Sequence, residues 1–192
     1  DIDLDGVEIT GKSPEFISKH GIARTFQNIR LWKSMTVFEN VLIAKHMHAK
    51  QNVFSATFRG NAKEEQRMRE ETMALLVEQG LDKYKDEIAT SLPYGLQRRL
   101  EIARVFATAP VLLLLDEPAA GMNPNETAEL MDTIRFVRDN FDMTILLIEH
   151  DMKLVSGICE ELTVLNFGKV LCQGYTKEVL EDTEVIKAYI GD

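Results

Sequence analysis

The sequence predicts an α/β fold in which a parallel sheet forms the core and a helical subdomain is inserted into it. Residues 111–115 and 145–148 are unbroken apolar runs, as in strands that are covered on both faces. A helical pattern over residues 123–140 lies between them, and strand, helix and strand at this spacing predict a βαβ unit. Residues 31–107 carry helical patterns without strand patterns, which indicates a helical insertion.

Composition places the chain among globular proteins and limits its partners. Its 192 residues suffice for one substantial domain, and its net charge of −9 argues against nonspecific binding of nucleic acid. Cys159 and Cys172 lie in apolar surroundings, which predicts reduced, buried thiols in a cytosolic chain. No apolar run is as long as a membrane span and no signal peptide is apparent, so we expect any membrane role to come through a partner.

Turn and capping signals predict the boundaries of the first elements. Asp5-Gly6 predicts a hairpin turn, Ser13-Pro14 predicts the start of a helix, and residues 22–26 predict a strand. A capping box at Thr36 and Glu39 predicts a helix that runs to about residue 50. A long helix is predicted over residues 62–79, ended by Gly80. After residue 150, a helix over 152–158, a hairpin around Phe167-Gly168 and two short helices are predicted.

A glycine-containing turn over residues 91–95 leads into an amphipathic helix over residues 96–107. The apolar stripe of this helix is Leu96, Leu100, Ala103 and Ala107, and the rest of its surface is Gln97, Arg98, Arg99, Glu101 and Arg104. A turn of this kind is a natural anion site, because free N–H groups and the helix dipole point at it. These residues alone fit an ordinary surface turn equally well.

Two carboxylates follow the first apolar run. Asp116 and Glu117 stand at the carboxyl end of a predicted strand, where open α/β sheets place their ligands. One carboxylate could hold a cation while the other handles a proton, although a solvated acidic turn is the alternative on this evidence. The second strand ends in Glu149-His150-Asp151 at the same edge of the sheet.

Five segments in this order resemble motifs of the nucleotide-binding subunit of ATP-binding cassette (ABC) transporters. They are Arg24-Thr25-Phe26-Gln27 as the Q-loop, residues 92–99 as the signature, residues 112–117 as Walker B, residues 118–123 as the D-loop, and His150 as the switch histidine. Residues 23–27, 99–104, 116–124 and 148–152 further resemble the ATPase subunits for branched-chain amino acids. The resemblance covers nearly the whole chain and implies a P-loop NTPase (RecA-like) ABC ATPase core, incomplete at its N-terminus. Residues 1–30 and 108–192 would belong to this core, and residues 31–107 to the helical subdomain.

The resemblance also implies roles in the hydrolysis of ATP with Mg²⁺. Asp116 would hold Mg²⁺, Glu117 would polarise the attacking water, and His150 would donate to the γ-phosphate and orient that water. Gln27 would contact Mg²⁺ and water and report the nucleotide state to the helical subdomain. The remaining predicted nucleotide contacts are Tyr94, Gly95, Gln97 and Asn123.

The partners implied are transmembrane permease subunits, a second ATPase subunit (identical or paralogous) and, indirectly, a substrate-binding protein. Gly95 would approach the γ-phosphate of a nucleotide on the opposing subunit, so catalysis would need a dimer. The chain would be cytoplasmic and peripheral on the inner face of the cell membrane. We expect no nucleic-acid partner.

Departures from the family pattern change the expectation for this chain. Pro93 stands where serine is usual and offers neither a hydroxyl nor an N–H, while Asn123 stands where aspartate is common. Residues 6–13 match the spacing G-x-x-x-x-G-K-[ST], but they begin in the predicted hairpin turn, and in the family the phosphate-binding loop lies before the hairpin that begins this chain. The chain is therefore expected to be the carboxyl-terminal part of a transporter ATPase, inactive on its own, with a missing strand between the two apolar strands.

Two other functions are alternatives from the sequence alone. The chain could be a natural split or remnant protein, a non-catalytic interaction module that docks through its helical insertion. It could also be the ATPase of another cassette system, for lipopolysaccharide export, urea uptake or DNA repair. The helix over residues 62–79 is too short for a coiled-coil arm, which disfavours repair.

Overall fold

The computed structural model describes residues 1–25, 29–46, 61–141 and 143–190, and its centre is a parallel sheet. The sheet has the order β3 (Ile22–Arg24), β4 (Leu112–Asp116), β5 (Thr144–Ile148). A hairpin precedes it, formed by β1 (Asp3–Leu4) and β2 (Val7–Glu8), and α1 (Pro14–Lys19) leads into β3. The predicted strand over residues 22–26 thus has three residues in the structure, and the predicted Asp5-Gly6 turn joins β1 to β2.

The helical part of the chain consists of α2 (Val37–His46), α3 (Asn61–Glu78) and α4 (Tyr94–Ala107), joined partly by short 3-10 turns. The capping box predicted at Thr36 is present, since Thr36 Oγ1 accepts from the N–H of Glu39 and Thr36 N–H donates to Glu39 Oε2. Helix α4 begins two residues earlier than predicted, with Pro93 as its N-terminal flanking residue.

Beyond β4 the chain alternates helices and strands. These elements are α5 (Pro124–Asn140), β5, α6 (Met152–Ile158), the antiparallel pair β6 (Glu161–Asn166) and β7 (Lys169–Tyr175), α7 (Thr176–Glu181), and α8 (Thr183–Val185) with a π-helical continuation over Ile186–Ile190. Helix α6 has its predicted bounds. Within the described ranges, no helix is long and apolar enough to cross a membrane.

The pairing of β4 with β5 contradicts the position predicted for a missing strand. The two strands are hydrogen-bonded neighbours in parallel register, with Leu113 opposite Ile145 and Asp116 opposite Ile148. No further strand fits between them. The prediction was wrong because an apolar run shows that a strand is buried and does not show which strand lies beside it.

Burial of the two strands is also more one-sided than the sequence predicts. Leu113 and Leu115 of β4 are fully buried, whereas Leu112 and Leu114 on the opposite face are half-buried. In β5, Leu146 and Ile148 are more than half exposed. The prediction of strands covered on both faces is therefore wrong for the described residues, because the outer face of β5 has little packed against it.

The hydrophobic core runs without interruption from the sheet into the helical part. Leu76 of α3 and Leu100 of α4 are fully buried in the same cluster as Leu113 of β4. Helix α4 supplies the connection, since Leu100, Ala103 and Ala107 of its predicted apolar stripe are all buried. The division into residues 1–30, 31–107 and 108–192 stays a prediction, and the helical part shares its core with the sheet.

The two cysteines lie at intermediate depth rather than in the core. Cys159 and Cys172 are both free thiols and both of intermediate burial, so the prediction that they are buried is wrong. Partial burial still raises the pKa of the Cys159 thiol, because the charged thiolate loses hydration there.

Helix α5 starts with a complete capping box. Asn123 Oδ1 accepts from the N–H groups of Asn125 (2.9 Å) and Glu126 (3.1 Å), and Glu126 Oε2 accepts from Asn123 N–H (2.9 Å). Two N–H groups at the start of the helix and that of Asn123 are thereby satisfied. The cap fixes where α5 begins and so fixes the end of the loop that leads from β4.

Replacing Asn123 with alanine should lower the free energy of unfolding by about 1 kcal/mol, because the two N–H groups lose their acceptor. Urea unfolding followed by circular dichroism measures the change. Asn125→Ala is the matched control, since Asn125 is exposed and its side chain is not part of the cap. Equal losses in the two variants would contradict the capping role.

Candidate functional site

Three predicted site residues meet at the carboxyl edge of the sheet. Asp116 ends β4, Glu117 follows it, and His150 lies just beyond β5. His150 Nδ1 is 3.7 Å from Glu117 Oε1, and the His150 side chain is largely exposed while that of Glu117 is about one-third exposed. The parallel register of the two strands produces this proximity, because it brings both carboxyl ends to the same edge. A carboxylate and an imidazole thus face the same solvent-accessible space.

The backbone of Glu117 has an uncommon conformation. Its φ is +44°, in the left-handed region that residues other than glycine and asparagine seldom adopt. Glu117 N–H donates to the carbonyl of Ile148 on the neighbouring strand (2.9 Å), and Ala120 N–H donates to the carbonyl of Glu117 (3.1 Å). The turn therefore begins at Glu117.

Asp116 forms an ion pair with the first residue of the predicted Q-loop segment, Arg24. Arg24 Nη2 is 2.7 Å from Asp116 Oδ2; the arginine side chain is 52% exposed and the aspartate side chain 24%. In addition, Thr25, which is buried, has its hydroxyl oxygen 3.4 Å from Asp116 N–H. The carboxylate is therefore neutralised locally by Arg24, and a cation at Asp116 would compete with that arginine.

The donor set at Asp116 fits Mg²⁺ that arrives with phosphate groups. Mg²⁺ in phosphate-transfer sites usually takes one or two protein carboxylates and completes its shell with phosphate oxygens and water. Across the described residues, no group of three or more His, Cys, Asp or Glu side chains could hold a metal ion. A single half-buried carboxylate suits a metal that is bound together with its phosphate ligand.

The predicted nucleotide contacts in the signature segment pack against the loop that follows β4. Tyr94 Oη donates to the carbonyl of Ala120 (3.1 Å), and its ring lies against Gly121. Gly95 is buried, and a Cβ at this position would lie 2.3 Å from Glu126 Oε1. A side chain at position 95 would therefore displace the Glu126 carboxylate, which belongs to the cap of α5.

Other predicted contacts also have partners within the chain. Gln97 Nε2 donates to the carbonyl of Leu92 (2.7 Å), so its amide stabilises the turn before α4. Asn123 caps α5 as described above. Pro93 is exposed at the start of α4 and offers no capping side chain, as the sequence led us to expect. Gln27 lies outside the described residues.

The sequence predicts no role for Glu149, although it lies in residues 148–152, one of the segments that resemble the branched-chain amino acid ATPase subunits. Its carboxylate is almost completely buried and accepts from three N–H groups, those of Ala119 (3.0 Å), His150 (3.0 Å) and Asp151 (3.4 Å). It therefore ties the loop after β4 to the end of β5. A glutamate at a strand end reads as a surface residue, and only the tertiary structure shows that it is buried.

The prediction that Arg98 and Glu101 lie on the polar surface of α4 is wrong. Arg98 is fully buried and Glu101 is 3% exposed, and Arg98 Nη1 donates to Glu101 Oε2 (2.6 Å). Their spacing of three residues was visible in the sequence, but the same spacing is common in solvated pairs. The assignment was wrong because the loop after β4 folds over this face of the helix.

Comparison with known proteins agrees with the geometry. The family described as ABC transporter matches residues 1–120. A high-affinity branched-chain amino acid transport ATP-binding protein, BraF of Pseudomonas aeruginosa, is 44% identical over 193 residues, which covers 100% of this chain and 76% of the relative. The chain belongs to the ABC transporter family.

Further relatives of this ABC transporter chain carry similar names. The ATP-binding protein LivG of Escherichia coli K12, also described as a high-affinity branched-chain amino acid transport protein, is 41% identical over 186 residues, with 96% of this chain and 73% of the relative covered. A crystal structure of an ATP-binding cassette of an ABC transporter in its ADP conformation has a TM-score of 0.79 at 30% identity, covering 98% of this chain and 76% of that chain. The predicted ABC ATPase fold is thereby confirmed.

Proposed function

We propose that this chain is the ATP-binding subunit of an ABC importer and couples ATP hydrolysis to the uptake of branched-chain amino acids. The observation that carries the proposal is the meeting of Glu117 and His150 at the ends of adjacent strands, beside Asp116, in a member of this family. The names of the relatives BraF and LivG support the substrate class.

Glu117 is the general base in this proposal. A carboxylate that is about one-third exposed can accept a proton from a water molecule as that water attacks the γ-phosphate. His150 lies within 4 Å of this carboxylate, and its imidazole has one nitrogen that can donate and one that can accept. It would orient the water or donate to the phosphate, while Glu149 holds the backbone of His150 in place.

Asp116 would hold Mg²⁺ together with the nucleotide. The bound ion would neutralise charge on the β- and γ-phosphates. Gln27 is proposed as a further contact to the ion or its water. Tyr94, Gly95, Gln97 and Asn123 are proposed to contact the nucleotide that a second ATPase subunit brings. Pro93 would weaken that contact because it has no hydroxyl.

The partners in this proposal are transmembrane permease subunits, a second ATPase subunit and a separate substrate-binding protein. The chain would act at the inner face of the cell membrane. Residues 6–13 match the spacing G-x-x-x-x-G-K-[ST], but they contain strand β2 of the hairpin and so do not form an open phosphate loop between a strand and a helix. We therefore propose that the chain on its own does not hydrolyse ATP.

The test is transport by the native complex that contains this chain, reconstituted in vesicles with its permease and binding protein. We expect ATP-dependent uptake of leucine, isoleucine and valine, and ATPase activity that rises with these substrates. Uptake of another amino acid class alone would overturn the substrate assignment. A complex that assembles but hydrolyses no ATP would favour the non-catalytic interaction module.

Replacing Arg24 with glutamine should tighten binding of Mn²⁺ with a non-hydrolysable ATP analogue about fivefold. Arg24 competes for Asp116, and two unit charges about 4 Å apart in water interact by about 1 kcal/mol. Electron paramagnetic resonance of free Mn²⁺ measures this affinity in the native complex. Lys19→Gln, which removes a surface ion pair with Glu15 on α1, is the control and should change nothing. Unchanged affinity in Arg24→Gln would contradict Asp116 as the metal ligand.

A further inference from the structure

A guanidinium group without solvent exposure lies directly behind the turn that carries Glu117. Arg98 of α4 donates from Nε to the carbonyl of Pro118 (3.0 Å) and from Nη2 to the carbonyl of Glu117 (2.9 Å). The carbonyl of Asp116 is 3.5 Å from the same Nη2. Three successive carbonyls, beginning at the last residue of β4, therefore face one planar, charged donor group.

Glu101 completes this buried group from the next turn of the helix. Its Oε2 accepts from Arg98 Nη1 (2.6 Å), and its Oε1 accepts from the N–H of Arg30 (3.1 Å). The chain leading away from the predicted Q-loop, helix α4 and the turn at Glu117 are thus joined through two charged side chains. Both charges are satisfied by fixed partners rather than by water.

A buried charged pair is a poor choice if its only task is to fill space. Removing both charges from water carries a large desolvation penalty, and apolar residues of similar volume often stabilise a core as well or better. A guanidinium, however, presents several donors in a rigid plane, which apolar residues and lysine cannot reproduce. One of the contacts of the Arg98 guanidinium is the carbonyl of Glu117, the residue whose backbone is in the left-handed region.

We propose that Arg98, held in place by Glu101, is a positioning residue for Glu117. By fixing the carbonyls of Glu117 and Pro118, it keeps the turn in its left-handed start and the carboxylate beside His150. The inference rests on the proposed function, since a position for Glu117 matters to turnover only if Glu117 handles the attacking water.

The double variant Arg98→Met/Glu101→Leu separates positioning from folding. It removes both charges together, so that no unpaired charge is left in the core, and it deletes the donors to the turn. We expect a free energy of unfolding close to that of the unmodified protein and a KM for ATP within about threefold of its value. The kcat should fall about 10- to 100-fold, as for a displaced catalytic group. Hydrogen exchange of the Ala120 N–H, which donates to the Glu117 carbonyl, should accelerate.

Two single variants complete the test in the native transporter complex. Arg98→Lys keeps the charge beside Glu101 but loses the planar fork, and should lower kcat about tenfold at unchanged KM even if the double variant fails to fold. Arg135→Met is the matched control, because Arg135 forms an exposed ion pair with Asp132 on α5, outside the segments assigned to the site, and should leave kcat unchanged.

The outcomes are distinguishable. A complex without ATPase activity before any substitution refutes the proposed function, and the positioning role with it. An active complex in which Arg98→Lys, or a folded double variant, keeps its kcat and its Ala120 exchange rate overturns the role of Arg98 alone.

Discussion

Replacing Glu117 with glutamine should lower the kcat of the native transporter complex by about 10²- to 10⁴-fold, while the affinity for ATP changes far less. The amide keeps the size and hydrogen-bonding geometry of the side chain but cannot accept the proton of the attacking water. It also leaves the left-handed backbone at this position as it is, so the fold should be unaffected. Steady-state ATP hydrolysis and equilibrium nucleotide binding together measure the two effects.

Glu160→Gln is the control for this prediction, because Glu160 precedes β6, is exposed and lies outside the site. Its kcat should match that of the unmodified complex. Hydrolysis by Glu117→Gln at a rate within a factor of ten of the unmodified protein would show that another group takes the proton. His150 would then be the next residue to test, since its Nδ1 is 3.7 Å from the Glu117 carboxylate.

Replacing Arg98 alone with methionine should lower the free energy of unfolding by about 3–5 kcal/mol. The substitution leaves the Glu101 carboxylate buried without its charged partner, and it leaves the carbonyls of Glu117 and Pro118 without their donor. Urea unfolding measures the loss. Adding Glu101→Leu to the same chain should restore most of the stability, since the stranded charge is then removed.

Arg99→Met provides the comparison on the same helix. Arg99 is partly exposed and pairs with Glu129 on the surface, so its loss should cost about 0–1 kcal/mol. If Arg98→Met is as mild as Arg99→Met, the buried pair contributes little. If the second substitution at Glu101 brings no recovery, the loss comes from packing rather than from an unpaired charge.

Local rules were enough to predict most element boundaries. Asn123 with Glu126 and Thr36 with Glu39 satisfy one another within four residues, so the sequence contains the whole interaction. The proximity of Glu117 and His150 is not local, but it follows once two parallel strands are known to end at one edge of the sheet. Gln27 lies outside the described residues, and its role stays a prediction.

Contacts between distant segments could not be predicted in this way. Arg24 reaches Asp116 across 92 positions of sequence, and Arg98 is buried only because the loop after β4 folds over it. Spacing along one helix cannot distinguish such an arginine from one that points into water. The prediction of a missing strand between β4 and β5 was wrong for a related reason, because the hydrophobicity of a strand indicates that it is buried and does not identify the strand beside it.

In the proposed mechanism, the left-handed backbone at Glu117 sets thermal stability against turnover at a single position. Glycine and asparagine adopt a φ of +44° at lower cost than glutamate, so a substitution that relaxes this turn also removes the carboxylate. Laboratory evolution for heat resistance would therefore favour inactive chains at this position unless each round is also screened for hydrolysis. Stabilising changes are better sought at exposed helix positions far from the sheet edge.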